Sequence, residues 1–131
     1  MIVTRSSSSY VETTRSLVEA IERRGLIVFA RIDHAAGARA VGLELADEEV
    51  VLFGSPLSGT PLMQDDPRIG IELPLRMLVW REGEKVLLGH NDPRELGSAY
   101  EVAAHAQTLE QMASLLAALA AEAAASPETT A

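Results

Sequence analysis

Cysteine is absent from the chain, and with it go disulfides, thiol catalysis and thiolate metal sites. Lysine occurs once, at Lys85, and the arginines stand singly or as the pair Arg23-Arg24, against 19 acidic residues and a formal charge of -8. A surface of that sign is repelled by phosphate backbones, so nucleic acid is excluded as a partner. Aromatic residues make up 4% of the chain, and the single tryptophan, Trp80, reads as packing within a strand rather than a stacking platform. Long apolar runs are missing too. The most apolar segment, 109–125, is interrupted by Glu110, Gln111 and Glu122, which rules it out as a membrane span. The opening Met1-Ile2-Val3-Thr4-Arg5-Ser6 has no stretch resembling a signal peptide. The cytoplasm is the expected location, and no membrane partner is expected.

What is present is globular. The chain has 131 residues and is 47% hydrophobic. A chain of that length can bury roughly two-thirds of its unfolded surface as one domain without covalent staples. The organising stretch is 50–63. Val50 to Phe53 is a short apolar run, Gly54 to Gly59 a turn rich in glycine, serine and proline, and Thr60-Pro61 reads as an N-cap followed by a first-turn proline. Such a strand-turn-helix leaves backbone N–H groups pointing above the turn, a geometry suited to an anion or a small ligand.

Read in order, Ile2 to Arg5 is a strand, and Ser9 with Glu12 forms a capping box. That box opens a helix closed by Gly25. Leu26 to Ile32 is a second strand, and Asp33 caps a short helix over 33–41. An acidic turn is expected at Asp47-Glu48-Glu49, then the organising strand, then a helix from Pro61 to about Asp66 stopped by Pro67. Leu75 to Arg81 and Lys85 to Gly89, around Glu82-Gly83-Glu84, form a β-hairpin. Asp92-Pro93-Arg94-Glu95 opens a helix expected to run to about His105. Thr108 to Gln111 is a capping box for a last helix with Leu109, Met112, Leu116, Leu119 and Ala123 on one stripe. The expected fold is α+β: a single two-layer domain over 1–125, with about five mainly antiparallel strands and helices packed on one face. Residues 126–131 read as a flexible C-terminal tail, and the small, apolar last helix suggests a homodimer.

The segments Asp33-His34-Ala35-Ala36-Gly37-Ala38, Leu52-Phe53-Gly54-Ser55-Pro56, Gly59-Thr60-Pro61-Leu62-Met63, Leu73-Pro74-Leu75-Arg76 and Asn91-Asp92-Pro93 together resemble the DUF302 family. The resemblance covers nearly the whole chain. It implies a small, dimeric α+β domain and no known activity. In that family the position of Ser55 is often asparagine, and an aromatic residue is common near the position of His90.

Candidate ligand-binding residues are Asp33, His34, Ser55, Ser58, Gly59, Thr60, His90, Asn91 and Asp92. Asp33-His34 lies where a strand leads into a helix, and an imidazole at a helix start stays neutral, able to accept a proton. The competing reading is that Asp33 simply caps and His34 bonds a carbonyl. Gly54 to Gly59 has the spacing of a P-loop but lacks the following lysine, so nucleotide hydrolysis is excluded. Asp92 reads as an N-cap. No spacing resembles H-E-x-x-H, so no metal site or cofactor is assigned. These residues suggest a small-ligand binding or sensing domain for a small polar or anionic ligand. The alternatives are an assembly domain built on the last helix and the sheet face, or an enzyme with His34 as general base.

Overall fold

Alternation builds the sheet. In strand β3 (Glu48–Gly54) Glu49, Val51 and Phe53 are buried, whereas Glu48, Val50 and Leu52 are half-covered. That is the period of two for a strand with one face on a core. Strands β4 (Leu75–Glu82) and β5 (Lys85–His90) repeat it, burying Leu75, Met77 and Val79 and then Val86 and Leu88. Between them Gly83 adopts φ 59°, the left-handed value that a two-residue hairpin turn demands. Strands β1 (Ile2–Arg5) and β2 (Ile27–Asp33) complete the order β1-β5-β4-β3-β2, with every neighbouring pair antiparallel. The computed structural model describes residues 1–125; the tail expected over 126–131 lies outside the described residues.

Helices α1 (Tyr10–Arg23) and α5 (Ala106–Ala124) pack on one face of this sheet. Ser9 caps α1, its Oγ accepting from the Glu12 N–H at 3.1 Å. Leu17 and Ile21 of α1 and Leu116 and Leu119 of α5 are fully or almost fully buried against Val51, Phe53, Met77, Val79 and Leu88. The two helices are also joined at the surface, where Glu122 receives Arg23 at 3.0 Å and Arg24. The fold is therefore α+β with a five-stranded antiparallel sheet, as the sequence predicts.

Four local expectations are corrected. The acidic segment is not a turn: Glu48 and Glu49 belong to β3, and Glu49 lies 7% exposed against Arg31 of β2 at 2.5 Å. A cross-strand arginine makes a carboxylate tolerable inside a strand. Helix α3 (Pro56–Asp65) begins five residues earlier than Thr60-Pro61 suggests. Ser55 is its cap and Pro56 its first residue, so Pro61 falls inside the helix, where it removes one backbone bond. The helix expected over 92–105 is broken into a 3-10 turn at Pro93–Glu95, helix α4 (Leu96–Ala99) and a second 3-10 turn at Ala103–His105. Finally, α5 starts at Ala106 rather than at the Thr108 capping box.

The break in 92–105 has a polar cause and an apolar one. Tyr100 turns extended (φ -133°, ψ 160°), which lets Val102 reach full burial in the core. Asp66, only 3% exposed, then accepts from the Glu101 N–H at 2.9 Å and from Arg68 through its backbone N–H, Nε and Nη2. The Tyr100 hydroxyl donates to Glu72 at 2.8 Å. The Arg68 side chain first, and the Glu101 N–H next, hold the Asp66 carboxyl well below the usual carboxylate range. A carboxyl depressed in the folded state stabilises fully above its unfolded pKa of about 3.9 and loses that contribution as pH falls further. Asp66→Asn is therefore expected to lower the urea midpoint at pH 7, with the gap to the native chain narrowing at pH 3. Urea titrations at the two pH values check this; a gap that stays constant would show that Asp66 acts through packing alone.

Candidate functional site

Where β3 ends, the chain cannot continue as a strand. Ser55 turns extended and Pro56 starts α3, which leaves a cavity of about 490 Å3 between the end of the sheet, α3 and α5. Leu26, Phe29, Leu52, Leu73, Met63, Met112 and Leu115 form its apolar walls. Gly54, Gly59 and Gly70 let the backbone come close. A Cβ built on Gly70 would sit 3.4 Å from Met63 Sδ, and one on Gly59 3.5 Å from Leu73 Cδ1. The polar groups are Ser55, Ser58 and Thr60, all from one side. Ser58 and Thr60 are exposed at the rim.

The N–H groups expected to point above this turn are taken. Ser55 Oγ accepts from Leu57 N at 3.3 Å, and the Ser55 carbonyl accepts from Ser58 N and Gly59 N at 3.1 Å each. Pro56 and Pro61 have no N–H to offer. An anion nest is thus closed off, and the chemistry of the cavity is that of an apolar pocket with hydroxyls on one edge.

The other candidate residues sit elsewhere. Asn91 and Asp92 line a separate cavity of about 380 Å3, and His90 borders both that one and a groove of about 320 Å3 beside α5. Asp92 caps the 3-10 turn, its Oδ1 accepting from Arg94 N at 3.0 Å. The Arg94 side chain, then its backbone N–H, hold Asp92 below the ordinary carboxylate value. Asp33 and His34 line none of these three cavities. Asp33 Oδ1 accepts from Ala36 N at 2.8 Å as the cap of α2 (His34–Ala40), and His34 is exposed on the first turn. Around them the field is acidic: burial, then Glu49, Asp33 and Asp47, push the nearby Tyr10 hydroxyl up to about 12. The nine residues singled out in the sequence therefore do not converge on one pocket. Among the described residues no group of three or more His, Asp or Glu side chains could hold a metal ion.

Comparison with known proteins decides the family. A family model described as "Domain of unknown function DUF302" matches residues 2–119. The chain belongs to the DUF302 family. The fold agrees: a crystal structure of an uncharacterized conserved DUF302 protein from Bacillus stearothermophilus superposes with a TM-score of 0.83, at 18% identity, over 93% of this chain and 96% of that one. Two curated relatives carry another name. "Fluoride-specific ion channel FluC 1" of Brucella suis biovar 1 and the protein of the same name from Brucella abortus biovar 1 are each 44% identical over 100 residues, 70% of this chain. The chain spans only 39% and 37% of those proteins. Among the described residues no helix of this DUF302 chain is long and apolar enough to cross a membrane.

Sequence reading of the DUF302 chain missed the apolar half of its main cavity. Phe29, Leu73, Met112 and Leu115 look like ordinary core residues, because nothing local distinguishes a residue facing a void from one facing a neighbour. A usable sign is the set of three glycines, Gly54, Gly59 and Gly70, which lie within residues 54–70 and converge on the same walls.

Proposed function

We propose that this DUF302 chain is a small-molecule-binding domain that works as a homodimer, with the cytoplasm as its setting. The supporting observation is the 490 Å3 cavity, whose size is that of ordinary ligand sites and whose polar groups gather on one side. Its occupant is a compact apolar molecule carrying one hydrogen-bonding group that meets Ser55, Ser58 or Thr60. This shifts the ligand from the polar or anionic class that the turn alone suggests. Fluoride conduction, the activity in the relatives' name, is not carried over, because about three-fifths of those proteins lies outside the match. A ligand-binding domain attached to a channel is compatible with that arrangement. The general-base reading of His34 loses its geometry, since His34 is exposed and Asp33 is occupied as a cap.

The cavity is tested with 8-anilinonaphthalene-1-sulfonate, whose emission rises in apolar surroundings. Saturable binding at one site per chain is expected, with affinity weakened tenfold or more in Gly59→Leu, where the added side chain grows toward Leu73 and Met63. His34→Ala is expected to bind as the native chain does. Binding unaffected by Gly59→Leu, or no saturable binding at all, would overturn the reading. Native mass spectrometry of freshly purified protein adds an independent readout: retained mass that disappears in Gly59→Leu identifies a natural occupant.

The support for a homodimer lies on the sheet face turned away from α1 and α5. There the registers align Ile32, Val50, Leu78, Gly89 and Val3 in one cross-strand row, with Leu52 on one side and Trp80 opposite Leu87 on the other. Ile32 and Val3 are 45% and 51% exposed. Five strands at about 4.8 Å spacing and about 3.3 Å per residue give a plan area near 500 Å2. Two such faces together reach the ~1,000 Å2 that a specific interface requires.

A further inference from the structure

Among the described residues no charged side chain lines the cavity at the end of β3. A carboxylate or an ammonium group entering it gives up water and meets no opposite charge, a large cost for an ion. Backbone N–H groups can replace a cationic side chain around an anion, but those of this turn are spent. The Leu57 N–H goes to Ser55 Oγ at 3.3 Å, and those of Ser58 and Gly59 go to the Ser55 carbonyl. The polar edge that remains is made of hydroxyls.

Ser55 is the hydroxyl with the most leverage, because it is half-buried where Ser58 and Thr60 are exposed to water. A serine hydroxyl has one proton to give and lone pairs that receive. Ser55 Oγ already receives from Leu57, and its own proton goes to no acceptor among the described residues. A donor withdrawn from water needs an acceptor in exchange. A hydrocarbon filling the cavity leaves it unpaired. An alcohol supplies the acceptor but brings a second proton, which then has to find a partner at the rim. A carbonyl oxygen supplies lone pairs and no proton, and the rest of such a molecule meets the apolar walls of Phe29, Leu52, Met63, Leu73 and Met112.

We propose that the cavity takes an uncharged carbonyl compound, a ketone, ester or lactone with an apolar body, whose oxygen accepts from the Ser55 hydroxyl. This rests on the cavity being a binding site, and it adds the charge of the ligand and the direction of its hydrogen bond.

The test is a displacement assay on the full chain. The reporter is N-phenyl-1-naphthylamine, which keeps the rings of 8-anilinonaphthalene-1-sulfonate without the sulfonate. The competitors share one chain length and differ in the polar group: 2-octanone, 2-octanol, octanoate and octylammonium. Displacement by 2-octanone is expected, with octanoate and octylammonium weaker by tenfold or more and 2-octanol weaker than the ketone. In Ser55→Ala the affinity for 2-octanone should fall about two- to tenfold, the range for one neutral hydrogen bond, while the reporter, which has no carbonyl, binds as before. Ser55→Thr keeps both the helix cap and the hydroxyl and should restore the ketone affinity. Should Ser55→Ala fail to fold, Ser55→Gly removes the hydroxyl at a smaller capping cost. Octanoate, octylammonium or 2-octanol displacing the reporter as well as the ketone does, or ketone affinity unmoved by loss of the Ser55 hydroxyl, would overturn this proposal and leave the cavity reading standing. A reporter that does not bind saturably overturns both.

Discussion

Phe53→Ala is expected to remove about 3–5 kcal/mol of folding stability, the range for deleting a fully enclosed aromatic side chain. Phe53 is the largest side chain with no exposed surface, and it sits on the helix-facing side of β3 one residue before the strand ends. The loss combines transfer of the ring to water with the cavity left beneath α1 and α5, which the packed helices can only partly fill. Against the 5–15 kcal/mol that ordinary domains possess, this brings the chain close to unfolding at room temperature. Urea denaturation followed by circular dichroism measures it. A midpoint shift equivalent to less than about 1 kcal/mol would mean that the site collapses around the missing ring. The same substitution is expected to weaken dye binding, because Phe53 supports Leu52 and Gly54, which both line the 490 Å3 cavity.

Leu78→Glu should convert the proposed homodimer into a monomer. Leu78 lies at the middle of the open sheet face, paired with Val50 on one side and Gly89 on the other. Beside it the Trp80 indole lies over Gly89, so close that a Cβ there would meet the ring at 3.0 Å. Trp80 Nε1 donates to Glu82 at 3.0 Å, two residues along the same strand. A carboxylate placed at the centre of that face must lose its water when two copies meet, a cost that Arg76, on the same face two residues along β4, offsets only in part. Central interface residues of this kind shift binding by about 2 kcal/mol or more, so a rise of about 30-fold or more in the dissociation constant is expected. The monomer itself should keep its fold, since Leu78 points away from the core. Sedimentation velocity over a concentration series checks this, and a native chain that remains monomeric at the highest concentration would remove the homodimer.

Strong local signals carried most of the architecture. The Ser9 capping box with Gly25, the alternating runs and the Gly83 turn each specify one conformation through short-range chemistry, and the structure follows them. Signals in competition were not legible. Ser55-Pro56 and Thr60-Pro61 are both a hydroxyl followed by a proline, five residues apart, and either could cap a helix. The end of β3 at Gly54, paired with Ile27 of β2, selects the first. Likewise 92–105 carries helix-forming residues throughout, yet the core takes Val102 and the buried Asp66 takes the Glu101 N–H, so the helix breaks at Tyr100. Both deciding contacts come from far along the chain. The candidate site shows the same division: the 55–60 turn was visible as glycine, serine and proline, whereas its walls arrive from Leu26 to Leu115 only once the sheet is built.

The strand order also carries a kinetic meaning. Strands β2 to β5 form a meander in which each pairs with the next in sequence, so their contacts close short loops. β1 is different: Arg5 pairs with Leu87, closing a loop of more than eighty residues. Loop-closure entropy makes such a contact slow and late. β1, the earliest of these five strands in the chain, is thus expected to be the last to dock, and until it does, β5 presents an unpaired edge to neighbouring chains.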